Sequence, residues 1–178
     1  MKSILVYCGS SNAAADRYKQ AARDMGVLIA ARGWRLIYGG GCTGLMGLIA
    51  DTVLAGGGEV VGVMPKAMVD KEVAHFGLTK LHIVDDMHQR KAMMMQMADA
   101  IVALPGGIGT LEEWSEAITW YNLDYHAKPV GLLNLDGFYD PLLHLLRRMH
   151  DEGFLREAWL RKILVADSAE SVLDLVTK

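Results

Sequence analysis

Cysteine is nearly absent: Cys8 and Cys42 are the only two in 178 residues. Two thiols cannot build a disulfide framework, so a reducing cytoplasm is the expected compartment. No Cys or His spacing matches a zinc ligand set, and no metal is expected. Basic clusters are missing as well. The formal net charge is -3, and no Lys/Arg-rich block occurs. That excludes the usual nucleic-acid surface. No apolar stretch approaches the roughly 18 residues of a membrane span. The apolar run after Met1 is too short for a signal peptide. Repeats, low-complexity segments and linkers are lacking too.

What is present is an ordinary globular mixture, 52% apolar and 22% charged. It suits a single domain over residues 1–178 with a substantial core. Short apolar runs alternate with amphipathic ones. Ser3–Tyr7 stops before Gly9 and reads as a buried strand. Asn12 can cap a helix from about Ala13 to Arg32, ended by Gly33. Trp34–Tyr38 is a second strand, followed by a helix from about Leu45 to Ala55 and a third strand over Glu59–Met64. Pro65 to Lys80 lacks a clean period and reads as a mobile loop or irregular helix beside a site. Leu81–Val84 is a weak strand. Asp86 caps a helix to about Met97, with Gln89 at the capping-box position. Strands follow at Asp99–Leu104 and Lys128–Leu133, with a helix over Leu111–Leu123 between them. Phe138–Asp151 is helical, Lys162–Val165 is an edge strand, and Ser168 caps a last helix to Val176. Such alternation predicts an α/β fold. The sheet is Rossmann-like, doubly wound and mainly parallel, with helices on both faces. Ligands of such sheets bind at the carboxyl ends of the strands, near the switch point.

Two glycine-rich turns fall at that edge. Gly39 to Gly44 matches G-x-G-x-x-G, a weak signal alone. A dinucleotide site needs an acid at the end of the next strand. Glu59 has the distance but begins that strand. The glycines, including Gly41 and Gly44, then either contact a substrate or allow tight strand–helix packing. The second turn, Pro105-Gly-Gly-Ile-Gly-Thr-Leu-Glu-Glu113, is more specific. Gly106, Gly107 and Gly109 let backbone approach a ligand, and Thr110 adds a hydroxyl at the helix start. The free N–H groups of the first helical turn favour an anion. No Lys follows as in a Walker A loop, so the cradle suits one phosphate rather than a triphosphate.

Charged residues around this cradle suggest chemistry. Glu112 falls on the outer side of its helix, where the macrodipole alone explains it. Glu113 falls at the margin of the apolar face and leans back toward the turn. Met87, Arg90, Met94 and Met97 share one face of the preceding helix. An arginine there must find an anion or several acceptors. A buried salt bridge would serve, and so would Glu113 or a ligand. Lys91 could reach the phosphate or be solvated. Ser10 and Ser11 follow the first strand and could cap a helix or bind a hydroxyl. The six histidines form no constellation, and no Ser-His-Asp set emerges.

Together these residues resemble a known family. Cys8-Gly-Ser-Ser11, Tyr38-Gly-Gly-Gly-x-x-Gly-Leu-Met-Gly47, Met64-Pro-Lys66, Asp86-Met-His-Gln-Arg-Lys91 and Pro105–Glu113 are similar to the LONELY GUY (LOG) family of cytokinin riboside 5′-monophosphate phosphoribohydrolases. Members are often mislabelled lysine decarboxylases. The similarity continues through Ile118-Thr-Trp120 and Lys128 to Asn134. Ile108 stands where many members carry an aromatic. The resemblance implies hydrolysis of the N-glycosidic bond of a nucleoside 5′-monophosphate, such as AMP or a cytokinin nucleotide. It implies Arg90 and Glu113 as catalytic residues. It places phosphate binding on Gly106, Gly107, Gly109 and Thr110, and substrate contacts on Lys91, Glu72 and Thr119. It also implies a Rossmann-like fold and a homodimer with the site near the interface; no cofactor is expected. The lysine decarboxylase label fits poorly, because that reaction needs pyridoxal phosphate on a Schiff-base lysine. The competing class is a non-catalytic carrier of a nucleotide or a molybdenum-cofactor-like ligand.

Overall fold

Ser3–Tyr7 (β1) is buried at every position, as a central strand covered on both faces must be. The computed structural model describes residues 1–69 and 74–178. After β1 come α1 (Asp16–Ala31), β2 (Arg35–Tyr38), α2 (Gly44–Ala55), β3 (Glu59–Pro65) and the short α3 (Lys66–Val69). Then follow β4 (Lys80–Val84), α4 (Met87–Met97), β5 (Ala100–Ala103), α5 (Ile108–Asn122) and β6 (Val130–Leu133). A 3-10 turn over Leu135–Gly137 leads into α6 (Asp140–Asp151), α7 (Glu157–Leu160), β7 (Ile163–Ala166) and α8 (Ala169–Thr177).

All seven strands are parallel, in the order β4-β3-β2-β1-β5-β6-β7. The expected doubly wound architecture is therefore present. One core packs α1, α2 and α8 against Ile4, Val6, Leu36 and Val102. The other packs α4 and α5 against Leu5, Tyr7, Ile101 and Leu132. Strand order reverses between β1 and β5, whose register pairs Ile4 with Ala100 and Tyr7 with Ala103. Beyond the paired strands, the Gly9 N–H donates to the Pro105 carbonyl at 3.3 Å. The two chains leaving the switch point therefore run side by side, and a crevice opens there.

Several boundaries differ from the sequence reading. Helix α1 begins at Asp16, not Ala13, because the Asn12 carboxamide is used elsewhere: it accepts from the Gly44 N–H at 2.8 Å. Ser11 Oγ instead accepts from the Ala13 N–H. Helix α5 begins at Ile108, so Gly109 and Thr110 lie inside its first turn. The Asp86 cap forms as expected, accepting from the Gln89 N–H at 2.8 Å. Its reciprocal partner differs, since Gln89 Oε1 accepts from Asp85 N–H. Ser168 caps α8, and β7 is an edge strand. Among the described residues, no helix is long and apolar enough to cross a membrane.

Candidate active site

The cleft at the switch point has a volume of about 370 Å³. It is lined by Cys8, Gly9 and Ser10 after β1, by Met87 and Arg90 of α4, and by Gly107 to Thr110 with Glu112 and Glu113 at the start of α5. Its glycines have two separate reasons. A Cβ on Gly106 would lie 2.1 Å from Thr110 Oγ1, so Gly106 makes room for the buried threonine. A Cβ on Gly107 or Gly109 would meet nothing within 4 Å, so these two face open space. The N-cap of α5 is Gly107, and no side chain caps it. The first-turn N–H groups are thus left for an anion in the cleft, with the helix dipole behind them.

Arg90 is 6% exposed and reaches across the carboxyl ends of two strands. Its Nε donates to the Val63 carbonyl of β3 at 3.1 Å, and its Nη2 to the Gly39 carbonyl after β2 at 3.0 Å. Nη1 has only the Met87 sulfur, at 3.8 Å. The expected choice between salt bridge and several acceptors resolves to acceptors, since no described carboxylate lies within ion-pair distance. Carbonyls fix the guanidinium plane and, among the described residues, leave its charge without a carboxylate partner, which suits binding of an anion or an electron-rich group. Gly39 is essential to this seat. A Cβ there would lie 2.1 Å from Nη2.

Glu113 lies opposite, one turn into α5, as its place on the helical wheel predicts. Burial pushes its carboxyl up to about 7, opposed by Arg90 and Lys91 and reinforced by Glu112 and Glu116. A carboxyl poised near neutrality can hold or take a proton under ordinary conditions. Cys8 also lines the cleft, but burial and the nearby Glu113 push its thiol far up. It stays protonated and is no nucleophile.

Other candidates take different places. Lys91 does not itself line the cleft. It is 8% exposed, and its Nζ pairs with Glu112 and Glu116 of α5. The expectation of a phosphate contact therefore gains no support. Glu112 and Glu116 stand one helical turn apart, so one lysine can bridge both. Gly41 and Gly44 are buried away from the cleft lining. Gly44 has φ +60°, and a Cβ on it would lie 2.4 Å from the Ser10 backbone. Of the two readings, tight packing is the one this geometry supports for Gly44. Thr119 is exposed farther along α5 and does not line the cleft. Ser10 does line it. Glu72 falls outside the described residues. Glu59 pairs with Arg35 at 2.8 Å, at the amino ends of β3 and β2, opposite the cleft. Glu59 therefore cannot serve a dinucleotide ribose at the cleft. The sequence reading missed the Gly39 and Val63 carbonyls. The only available signal was their position at strand ends.

A family model described as "Possible lysine decarboxylase" matches residues 46–176. The cytokinin riboside 5′-monophosphate phosphoribohydrolase LOG of Oryza sativa subsp. japonica is 46% identical over 172 residues, 97% of this chain and 71% of that protein. The enzyme of the same name from Rhodococcoides fascians is 45% identical, over 97% of this chain and 87% of that protein. The solved structure of TM1055 superposes with a TM-score of 0.75 at 27% identity, covering 99% and 98% of the two chains. The molybdenum cofactor carrier protein of Chlamydomonas reinhardtii has a TM-score of 0.74 at 21% identity, covering 98% and 95%, and shares the fold. By the length and level of these matches, the chain belongs to the family of cytokinin riboside 5′-monophosphate phosphoribohydrolases.

Proposed function

We propose that this protein hydrolyses the N-glycosidic bond of nucleoside 5′-monophosphates, releasing free base and ribose 5-phosphate. One observation carries the reading: an uncapped helix start, an arginine held by backbone carbonyls and a carboxyl poised near neutrality open on one cleft. Backbone N–H groups of Gly107, Gly109 and Thr110 hold the 5′-phosphate. Glu113 faces the ribose, stabilises the oxocarbenium-like transition state and takes the proton of the attacking water. Oxygen from that water bonds to C1′. The electrons of the broken C1′–N bond leave with the base, which gains a proton. Arg90 offers Nη1 to the departing base and neutralises charge there.

A cytokinin nucleotide is the substrate named for the relatives, and AMP is the minimal member of that class. Incubation with AMP, N6-isopentenyl-AMP and the other nucleoside monophosphates should release free base, read by chromatography. The same nucleosides without the 5′-phosphate should react about a hundredfold more slowly, because the cradle loses its charge-assisted contacts. Tight binding of AMP with no base released would point to a carrier instead. The proposal extends to a homodimer in the cytoplasm. Exposed Leu145, Met149 and Phe154 offer apolar surface for a second copy. A monomer at sedimentation equilibrium would overturn that part.

A further inference from the structure

Tyr7 is the buried polar side chain nearest this chemistry that the mechanism above does not use. It ends β1, is 2% exposed, and packs with Met94 of α4 and with Trp114 and Ala117 of α5. Its hydroxyl has no hydrogen-bond partner among the described residues. A phenylalanine would fill the same space without leaving a polar atom unsatisfied, so the hydroxyl must return something for its cost. After burial itself, Glu113 is the group that acts most strongly on the phenol, ahead of Glu116, Arg90 and Glu112. The Glu113 carboxyl in turn has no hydrogen-bond donor among the described residues. Glu113 directly precedes Trp114 and lies one helical turn before Ala117, the two α5 residues in the core that Tyr7 joins.

We propose that Tyr7 is a positioning residue: its hydroxyl donates to the Glu113 carboxylate across one water and fixes which oxygen faces the ribose. What the fixed carboxylate then does rests on the phosphoribohydrolase reading; the contact itself does not. Apart from Trp114, whose buried Nε1 also lacks a partner among the described residues, the neighbouring groups leave this task open. On α5, Glu112 and Glu116 are both occupied by Lys91 of α4. Arg90 of α4 spends Nε and Nη2 on carbonyls. Just after β1, Cys8 is a weak donor whose thiol remains protonated. A hydrogen bond to the charged form favours that form, so Tyr7 counteracts the burial that raises Glu113.

Tyr7→Phe keeps the ring and its packing, and Tm should stay level or rise. kcat should fall about five- to tenfold with KM changed less than about twofold. The acidic limb of the rate profile should move up by about half a unit to one unit. In the Glu113→Gln background the same substitution should cost no further activity, since both act through one group. NMR titration of carbon-13-labelled Glu113 in the full chain reads the shift without any substrate. A limb and a Glu113 titration that Tyr7→Phe leaves in place would overturn the proposal. Wild-type protein that releases no base would overturn the functional reading instead, and the Glu113 titration would still decide the part of Tyr7.

Discussion

Glu113→Gln should cut base release by about a thousandfold or more, while AMP binding stays within about threefold. The amide keeps the shape of the carboxyl but can neither take a proton from water nor offset positive charge on the ribose. Phosphate binding rests on backbone groups of the same helix, which the substitution does not touch. The group sits in the folded protein near 7, against an ordinary value of 4.5. Activity that depends on the carboxylate therefore rises with pH through about 7, and the variant should lose that limb. The same shift has a stability counterpart. A carboxyl raised on folding makes the folded state the better proton binder, so stability declines as pH rises from about 4.5 to 7 and is level above. Glu113→Gln should accordingly raise Tm at pH 8 and leave it unchanged at pH 4, by calorimetry. A loss of activity smaller than about tenfold would remove Glu113 from the chemistry.

Gly39→Ala should cost about a hundredfold in kcat/KM or more, close to the loss from Arg90→Ala, although residue 39 never touches substrate. The added methyl would lie 2.1 Å from Arg90 Nη2 and 3.2 Å from its Cζ. The remaining close neighbour is the Met46 sulfur at 3.5 Å, an ordinary contact. The clash is therefore with the end of one flexible side chain, and the fold can yield by expelling the guanidinium. Both carbonyl hydrogen bonds to β2 and β3 go with it. The expected result is a folded, inactive protein: near-native Tm, lost turnover, and no further loss when Arg90→Ala is added. Full activity in Gly39→Ala would mean that Arg90 tolerates displacement and does no positioned work.

Much of this site was readable because its parts are local. The turn at Pro105–Glu113 announces itself through three glycines between an apolar run and a helical period. Asp86 and Gln89 mark the start of α4 by capping chemistry alone. The placement of Glu113 followed from helical geometry. What escaped was tertiary. Asn12 looked like the cap of α1, but a backbone N–H far along the chain claims it. Lys91 was read as reaching a phosphate or solvent, whereas two carboxylates one turn apart on α5 hold it. The glycines of Gly39–Gly44 read as one motif, yet Gly39 clears space for an arginine and Gly44 for the Ser10 backbone. No spacing rule distinguishes those tasks, because the neighbour that imposes each is remote in sequence. Helix α7 carried too few residues to give a period.

The central place of β1 also bears on when the protein becomes an enzyme. Its neighbours are β2 on one side and β5 on the other, and only the second pairing brings Gly9 against Pro105. During synthesis β1 emerges first and must wait, with one apolar edge unmatched, until Ala100–Ala103 has been made. Non-local parallel pairing of this kind is slow to form and exposes sticky strands meanwhile. Catalytic competence is thus acquired late and all at once. A nascent or truncated chain ending before β5 holds the seat for Arg90 but no cradle, and has nothing to hydrolyse with.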